Sequence, residues 1–347
     1  MLVVGLVLLI GGAELLVRGA AALATAAGVT PLVVGLTVVS FGTSSPELAV
    51  SLQSAFSGQA DLAIGNVIGS NIFNILVILG LAALVTPLTV AFQLIRIDVP
   101  IMVGISLLLG LLAWNGNLGR LEGLLLALGL AGYLTFTVIQ VLREGRPPGE
   151  DVPDKPHGGG RQLLINLGLV IAGLLLLIFG SNWLVDSAVT IARAFGVSEL
   201  VIGLTIIATG TSLPEVAATL AAALKGERDM AVGNAVGSNI FNILGILGLT
   251  ALFAPGGITV PATALTFDIP VMIAVAIACL PIFFSDYTIA RWEGGLFVAY
   301  YAIYLTFVFL AATGSPWASL FQAAVLGFVL PLTLITVAVT TLRAWRK

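Results

Sequence analysis

Residues 35–80 read GLTVVSFGTSSPELAVSLQSAFSGQADLAIGNVIGSNIFNILVILG, and residues 203–248 read GLTIIATGTSLPEVAATLAAALKGERDMAVGNAVGSNIFNILGILG. At a constant offset of 168 the two stretches match at 27 of 46 positions, with no gap. Each copy sets a glutamate, Glu47 or Glu215, directly after a proline and shortly after Gly-Thr-Ser, inside an otherwise apolar run. Each copy later carries Gly-Ser-Asn-Ile-Phe-Asn. A lone acid at the centre of a bilayer costs about 2.5 kcal/mol or more. Two of them in matched settings call for a cation.

Membrane insertion follows from composition. The chain has 347 residues, 59% of them hydrophobic and 9% charged, with a mean hydropathy of +1.13. Soluble domains carry about 25% charged residues. Forty glycines fit a bundle of closely approaching membrane helices. A net charge of -3 without a dense basic cluster excludes a nucleic-acid partner. One cysteine, Cys279, excludes an internal disulfide framework, and the lone His157 sits in a polar linker. Neither a Cys/His nucleophile nor a His/Cys transition-metal site has material to draw on. The amino terminus lacks a basic n-region and carries Glu14 and Arg18 within its apolar span, so it reads as a first membrane helix rather than a cleaved signal.

Apolar runs near 20 residues or longer mark the spans. They fall at about 2–26, 31–57, 61–85, 93–113 and 121–142, and again at about 162–194, 198–223, 229–253, 263–284 and 290–312. A last apolar run covers about 317–343. Between the two sets of five lies the polar linker 143–161, rich in Pro and Gly. The repeat also extends beyond its central stretch. Asp98-Val99-Pro100 pairs with Asp268-Ile269-Pro270, and Tyr133-Leu134-Thr135-Phe136 pairs with Tyr304-Leu305-Thr306-Phe307. Five is odd, so the second unit must enter the membrane from the opposite side, the inverted plan of many secondary transporters.

The fold class expected is therefore an all-α polytopic membrane protein. Its parts are a first five-helix repeat (1–142), a cytoplasmic linker (143–161), a second inverted five-helix repeat (162–312) and an extra C-terminal helix (313–347). With the amino terminus outside, eleven Lys and Arg residues fall on the cytoplasmic side, with the linker and the carboxyl terminus; only Arg120 and Arg193 fall outside.

The chemistry of the repeat follows from its residue types. Pro46 has no amide hydrogen and clashes with the carbonyl of Gly42, so the second helix should kink or open there, freeing carbonyls near Ser40 to Thr43. Irregular backbone at membrane depth is tolerated only where it is buried or lines water. The stretch Ala208-Thr209-Gly210-Thr211-Ser212-Leu213-Pro214-Glu215 repeats the arrangement. Ser70 and Asn74 share a helix face, as do Ser238 and Asn242. Two carboxylates, hydroxyls, amide oxygens and free carbonyls form an all-oxygen set suited to hard cations, Ca²⁺ or Na⁺. Two ionised glutamates neutralise one Ca²⁺. A Gly/Ser-rich face taken alone is more often a packing surface; paired intramembrane acids beside it overturn that reading. Other acids have plainer roles. Glu14 and Arg18 read as an i,i+4 pair, Asp98 and Asp268 as caps at helix starts, and Asp61, Asp186 and Asp229 as pairing, capping or rim residues.

GTSSPE and GTSLPE, each followed by GN-x-x-GSNIFNI, resemble the paired alpha repeats of the calcium/cation antiporter superfamily, and the chain most resembles its prokaryotic sodium/calcium exchanger branch. The resemblance covers about residues 1–312. It implies a ten-helix core, ions held by helices 2, 3, 7 and 8, and long helices 1 and 6 sliding across them. By the same resemblance Glu47 and Glu215 are the central ligands shared by Na⁺ and Ca²⁺, with Thr43, Ser44, Thr211 and Ser212 beside them. Ser40 and Ala208 become carbonyl donors, and Ser70, Ser238, Asn74 and Asn242 the ligands of helices 3 and 8. Asn242 stands where some relatives, potassium-dependent ones among them, carry Asp, so exchange is expected to be potassium-independent. The twelve residues bind transported ions, with no cofactor and no catalytic residue. The expected surroundings are the lipid bilayer of a prokaryotic plasma (inner) membrane, with no obligate protein partner. Antiport of Na⁺ for Ca²⁺ by alternating access is the leading function. A proton/cation exchanger is the alternative, because glutamates in an apolar pocket could carry H⁺. An intramembrane aspartyl protease fits poorly, since both acids are Glu and no Gly-x-Gly-Asp occurs. A passive channel fits poorly with acids at matched depth in an inverted repeat.

Overall fold

A computed structural model describes residues 1–144, 160–196, 208–284 and 287–325. Most of the linker, the start of the expected span 198–223 and most of the last apolar run lie outside the described residues. In chain order the helices are α1 (Leu2–Ala27), α2 (Pro31–Thr43), α3 (Ser45–Phe56), α4 (Leu62–Val85), α5 (Leu94–Asn115) and α6 (Arg120–Glu144). Then follow α7 (Gly160–Ala194), α8 (Ala208–Gly210), α9 (Leu213–Leu224), α10 (Arg228–Phe253), α11 (Ala264–Phe284), α12 (Arg291–Ala312) and the short α13 (Ala318–Ala324). Among the described residues eight helices are long and apolar enough to cross a membrane, and a ninth span is the bent pair α2–α3. The chain is a helical, polytopic membrane protein.

The long helices α1 and α7 run in opposite directions. A Cβ placed on Gly5 would lie 2.9 Å from the carbonyl oxygen of Gly180, one on Gly12 2.8 Å from that of Gly173, and one on Gly19 2.9 Å from that of Asn166. As the first number rises the second falls, so α1 and α7 are antiparallel. Gly5 and Gly12 correspond to Gly173 and Gly180 at the offset of 168. Equivalent glycines therefore line both sides of one seam, and the absent side chains let the backbones touch. The short ribbons obey the same symmetry. Strand β1 (Leu88–Thr89) pairs antiparallel with β4 (Thr288–Ile289), and β2 (Asn117–Leu118) with β3 (Ile258–Thr259). Each ribbon joins a loop of one repeat to a loop of the other.

Burial separates centre from rim. In the most apolar windows of α4 and α10, 78% and 83% of residues are buried, against 22% in α6 and 6% in α12. The helices carrying Gly-Ser-Asn-Ile-Phe-Asn thus form the core, and α6 and α12 lie at the periphery. Close approach again depends on glycine: a Cβ on Gly35 would meet the Met230 carbonyl at 2.6 Å, and one on Gly237 the Leu36 carbonyl at 2.7 Å. These contacts lay α2 against α10.

Two expected pairings differ. Glu14 forms an ion pair with Lys225, across to the end of α9, and not with Arg18. Asp98 caps no helix. It is buried and accepts hydrogen bonds from the Tyr133 hydroxyl at 3.0 Å and from Gln93 Nε2 at 3.4 Å. Asp268 accepts in the same way from Tyr304 at 3.0 Å. A carboxylate at membrane depth needs a donor, and Pro100 and Pro270 leave the next turn without an amide hydrogen there. The repeated Tyr133 and Tyr304 supply it from the neighbouring helix.

Candidate cation site

Proline sets the geometry of the site. α2 and α3 meet at 42°, with Ser44 between them at φ −82° and ψ 5°, off the helical path. Ser212 occupies the same place between α8 and α9, at φ −87° and ψ 6°. In both cases the proline is in the first turn of the following helix, and the glutamate with it. A carboxylate in a first turn faces the unpaired amide hydrogens of the helix start. α4 and α10 are also interrupted: a π-helical segment begins at Asn74 (Asn74–Leu79) and another at Asn242 (Asn242–Leu247). Such wide turns cluster at functional sites.

The two halves bind each other's acids. Ser44 Oγ donates to Glu215 Oε1 at 2.9 Å, and Ser212 Oγ donates to Glu47 Oε1 at 3.1 Å. The neighbouring hydroxyls also cross between the halves, Thr43 Oγ1 to Asn234 Oδ1 and Thr211 Oγ1 to Asn66 Oδ1. Glu47, Glu215, Thr43, Ser44 and Ser212 are all at most 1% exposed. The two carboxylates lie within electrostatic reach of each other, and their charges repel. Each keeps a second oxygen, Oε2, that is buried and has no donor. Asn74 Oδ1, Asn242 Oδ1 and Ser238 Oγ are likewise buried without a partner. Buried polar atoms are normally satisfied. Here the unsatisfied atoms are oxygens, which is what a hard cation requires.

The remaining expected residues fall around this cluster. Ser70 meets Ser212 at 3.2 Å between hydroxyl oxygens, which its counterpart Ser238 does not do with Ser44. Ser40 is buried; its hydroxyl donates to the Leu36 carbonyl at 2.8 Å, and its own carbonyl receives the Ser44 amide at 3.0 Å. Ala208 opens α8. Four further asparagines of the same motif are not among the twelve expected site residues. Asn66 donates to the Glu47 carbonyl at 3.3 Å and to Ser51 Oγ at 3.1 Å, and Asn234 donates to Thr219 Oγ1 at 2.9 Å. Their carbonyl ends receive Thr211 and Thr43 from the opposite repeat, at 3.5 and 3.4 Å. Asn71 and Asn239 bond to each other's main chain. The signal was present: all four stand at identical positions of GN-x-x-GSNIFN in both copies.

The wall around the acids is not the same on its two sides. Thr43 and Asn234 are buried, whereas their counterparts Thr211 and Asn66 are half-buried. The two flanks of the carboxylates are thus unequally buried.

Comparison with known proteins places the family. The family described as sodium/calcium exchanger protein matches residues 1–139 and 165–310. Inner membrane protein YrbG of Escherichia coli is 41% identical over 249 residues, covering 70% of this chain and 76% of that protein. Sodium/calcium exchanger MaX1 of Methanosarcina acetivorans is 32% identical over 312 residues, covering 78% and 87%. A solved structure of the sodium-calcium exchanger NCX_Mj superposes with a TM-score of 0.76 at 31% identity, covering 88% of this chain and 96% of that one. Matched along both repeats and sharing their fold, this chain belongs to the sodium/calcium exchanger family of membrane transporters.

Proposed function

We propose that the protein exchanges Na⁺ for Ca²⁺ across the membrane, by alternating access to one site shared by both ions and independently of K⁺. The observation that carries this reading is the crossed pair of buried glutamates. Each is held by the other repeat's serine through one oxygen and presents the other without a donor. Glu47 and Glu215 supply two negative charges, and Asn74, Asn242, Ser70, Ser238 and the hydroxyls of Thr43, Ser44, Thr211 and Ser212 complete an oxygen set that dehydrated Na⁺ and Ca²⁺ can occupy in turn. The carbonyls of Ser40 and Ala208 lie along the same broken segments. A site filled by cations is neutralised and can be sealed from either side. The unequal packing of Thr43–Asn234 and Thr211–Asn66 supports a site reached from one side at a time. The name of MaX1 supports the choice of Na⁺ and Ca²⁺.

Potassium independence rests on Asn242. Its amide donates to Asn71 Oδ1 at 3.0 Å, and an Asp there would set two acceptors against each other. The orientation proposed is amino terminus outside, linker and carboxyl terminus cytoplasmic. A membrane-impermeant thiol reagent labelling a cysteine placed in the linker from outside intact cells would overturn it.

The test of function is ⁴⁵Ca²⁺ uptake into proteoliposomes with Na⁺, H⁺ and K⁺ gradients imposed separately. Uptake driven by Na⁺ alone is expected, and Glu47→Gln or Glu215→Gln should abolish it. Near-normal uptake by both variants overturns the site. The second reading, proton coupling, is favoured by the unpartnered Oε2 atoms, each of which could hold a proton. Uptake driven by a pH gradient without Na⁺ would establish it in place of Na⁺ coupling.

A further inference from the structure

We infer that Asn71 and Asn239 are positioning residues which aim the side-chain oxygens of Asn242 and Asn74 at the transported cation; the inference rests on the cation-site reading above. The two ends of an asparagine amide are told apart by their partners. Asn71 Nδ2 lies 3.3 Å from the main-chain oxygen of Asn239 and 3.7 Å from Met272 Sδ. A carbonyl only accepts and a thioether accepts weakly, so the amino end of Asn71 is fixed on that side. Its oxygen must then point the other way, where it receives Asn242 Nδ2 at 3.0 Å. That contact in turn fixes Asn242. Its amino end is held by Asn71, and its Oδ1 is turned to where the structure provides no donor.

The mirror relay is complete. Asn239 Nδ2 lies 3.2 Å from the Asn71 main-chain oxygen and 3.6 Å from Met102 Sδ. Asn239 Oδ1 receives Asn74 Nδ2 at 3.0 Å, and Asn74 Oδ1 is left buried without a donor. All four asparagines are at most 2% exposed, so water does not offer the flipped amide an alternative partner. Orientation thus passes from a main-chain carbonyl of one repeat, through an asparagine of the other, to a ligand back on the first. A flip of Asn242 would bring two amide oxygens to about 3 Å and present an amino group to the cation.

The experiment is a double-mutant cycle on the half-saturating Ca²⁺ concentration for uptake into Na⁺-loaded proteoliposomes. Asn71→Ala frees Asn242 to turn, and should raise that concentration on the order of tenfold while leaving the maximal rate near wild type. In an Asn242→Asp background the ligand shows an oxygen whichever way it turns. There Asn71→Ala should raise the concentration by less than about twofold, or lower it, because it also removes the acceptor that faces the aspartate. An equal factor in both backgrounds means that Asn71 acts only through packing, and overturns the inference. The mirror cycle, Asn239→Ala with Asn74→Asp, gives the same decision if Asn71→Ala does not purify as folded protein. Failure of the cation site itself reads differently: Glu47→Gln and Glu215→Gln would then retain uptake, whereas a failed relay leaves both inactive.

Discussion

Removing the hydroxyl of Ser44 should weaken the protein through Glu215 and not through Glu47, its near neighbour in sequence. Ser44 Oγ donates to Glu215 Oε1 at 2.9 Å, in a setting at most 1% exposed. Hydrogen bonds to charged groups contribute about 1.5–3 kcal/mol, and no water replaces this one. Ser44→Ala should therefore destabilise the purified protein by about that amount, a loss of several degrees in Tm. Replacing Glu215 by Leu removes the acceptor and the buried charge together, which at such sites is often neutral or stabilising. In that background Ser44→Ala should cost no more than about 0.5 kcal/mol. In a Glu47→Leu background the cost should stay near its full value. Thermal unfolding in detergent with chelator and without Na⁺ is the assay, because bound ions would otherwise add their own stabilisation. If Ser44→Ala couples to Glu47→Leu and adds independently to Glu215→Leu, the crossed arrangement is wrong.

The glycine seam predicts opposite outcomes for adjacent residues. Gly12→Ala would press a Cβ to 2.8 Å from backbone atoms of α7 and should cost about 1–3 kcal/mol, whereas Gly11 faces open space and Gly11→Ala should be neutral or stabilising in the same unfolding assay. The matched motif glycines should also diverge: Gly237→Ala meets the Leu36 main chain at 2.7 Å and should lower both Tm and uptake, while nothing lies within 4 Å of a Cβ on Gly69, and Gly69→Ala should transport like wild type. Tyr133→Phe leaves buried Asp98 with Gln93 alone and should cost about 1–3 kcal/mol of stability. Tyr304→Phe should cost less because Asp268 is only half-buried, and equal losses of Tm would contradict that ordering.

Much of this architecture was legible because apolar length and repetition are one-dimensional signals. The spans beginning near residues 2, 62, 94, 120, 161, 228, 264 and 291 follow from hydropathy alone, and the odd number of spans expected per repeat implies inversion. The Gly5–Gly180 and Gly12–Gly173 contacts set the equivalent helices α1 and α7 antiparallel. The acids were legible too, since Glu47 and Glu215 are costly where they stand. Their partners were not. Proximity along the chain does not say which acid Ser44 meets: two residues before a proline and three before an acid, it belongs to the broken segment, and the break turns its side chain toward the other repeat. Glu14 failed for the related reason that i,i+4 spacing describes an isolated helix, whereas Lys225 reaches Glu14 from the end of another. Asp98 misled because a residue before Pro at a helix start ordinarily caps; at membrane depth the stronger demand is a donor, and Tyr133 meets it from α6.

What linear reading cannot supply is the axis relating the two copies. Any pair of residues that meets on such an axis is invisible in either copy alone, and Asn71 with Asn239 is that pair: each residue's partner is its own equivalent, 168 positions away. Residues off the axis meet something else, so their environments can differ between the halves. Ser70 has a hydroxyl neighbour in Ser212 where Ser238 has none, and Asn66 is half-buried where Asn234 is buried. Identical motifs in unequal surroundings are what an alternating transporter needs. If each half can adopt the packing now held by the other, exchanging the two environments exchanges the open side. The symmetric on-axis contacts would keep their partners through that exchange, and the off-axis ones would trade them.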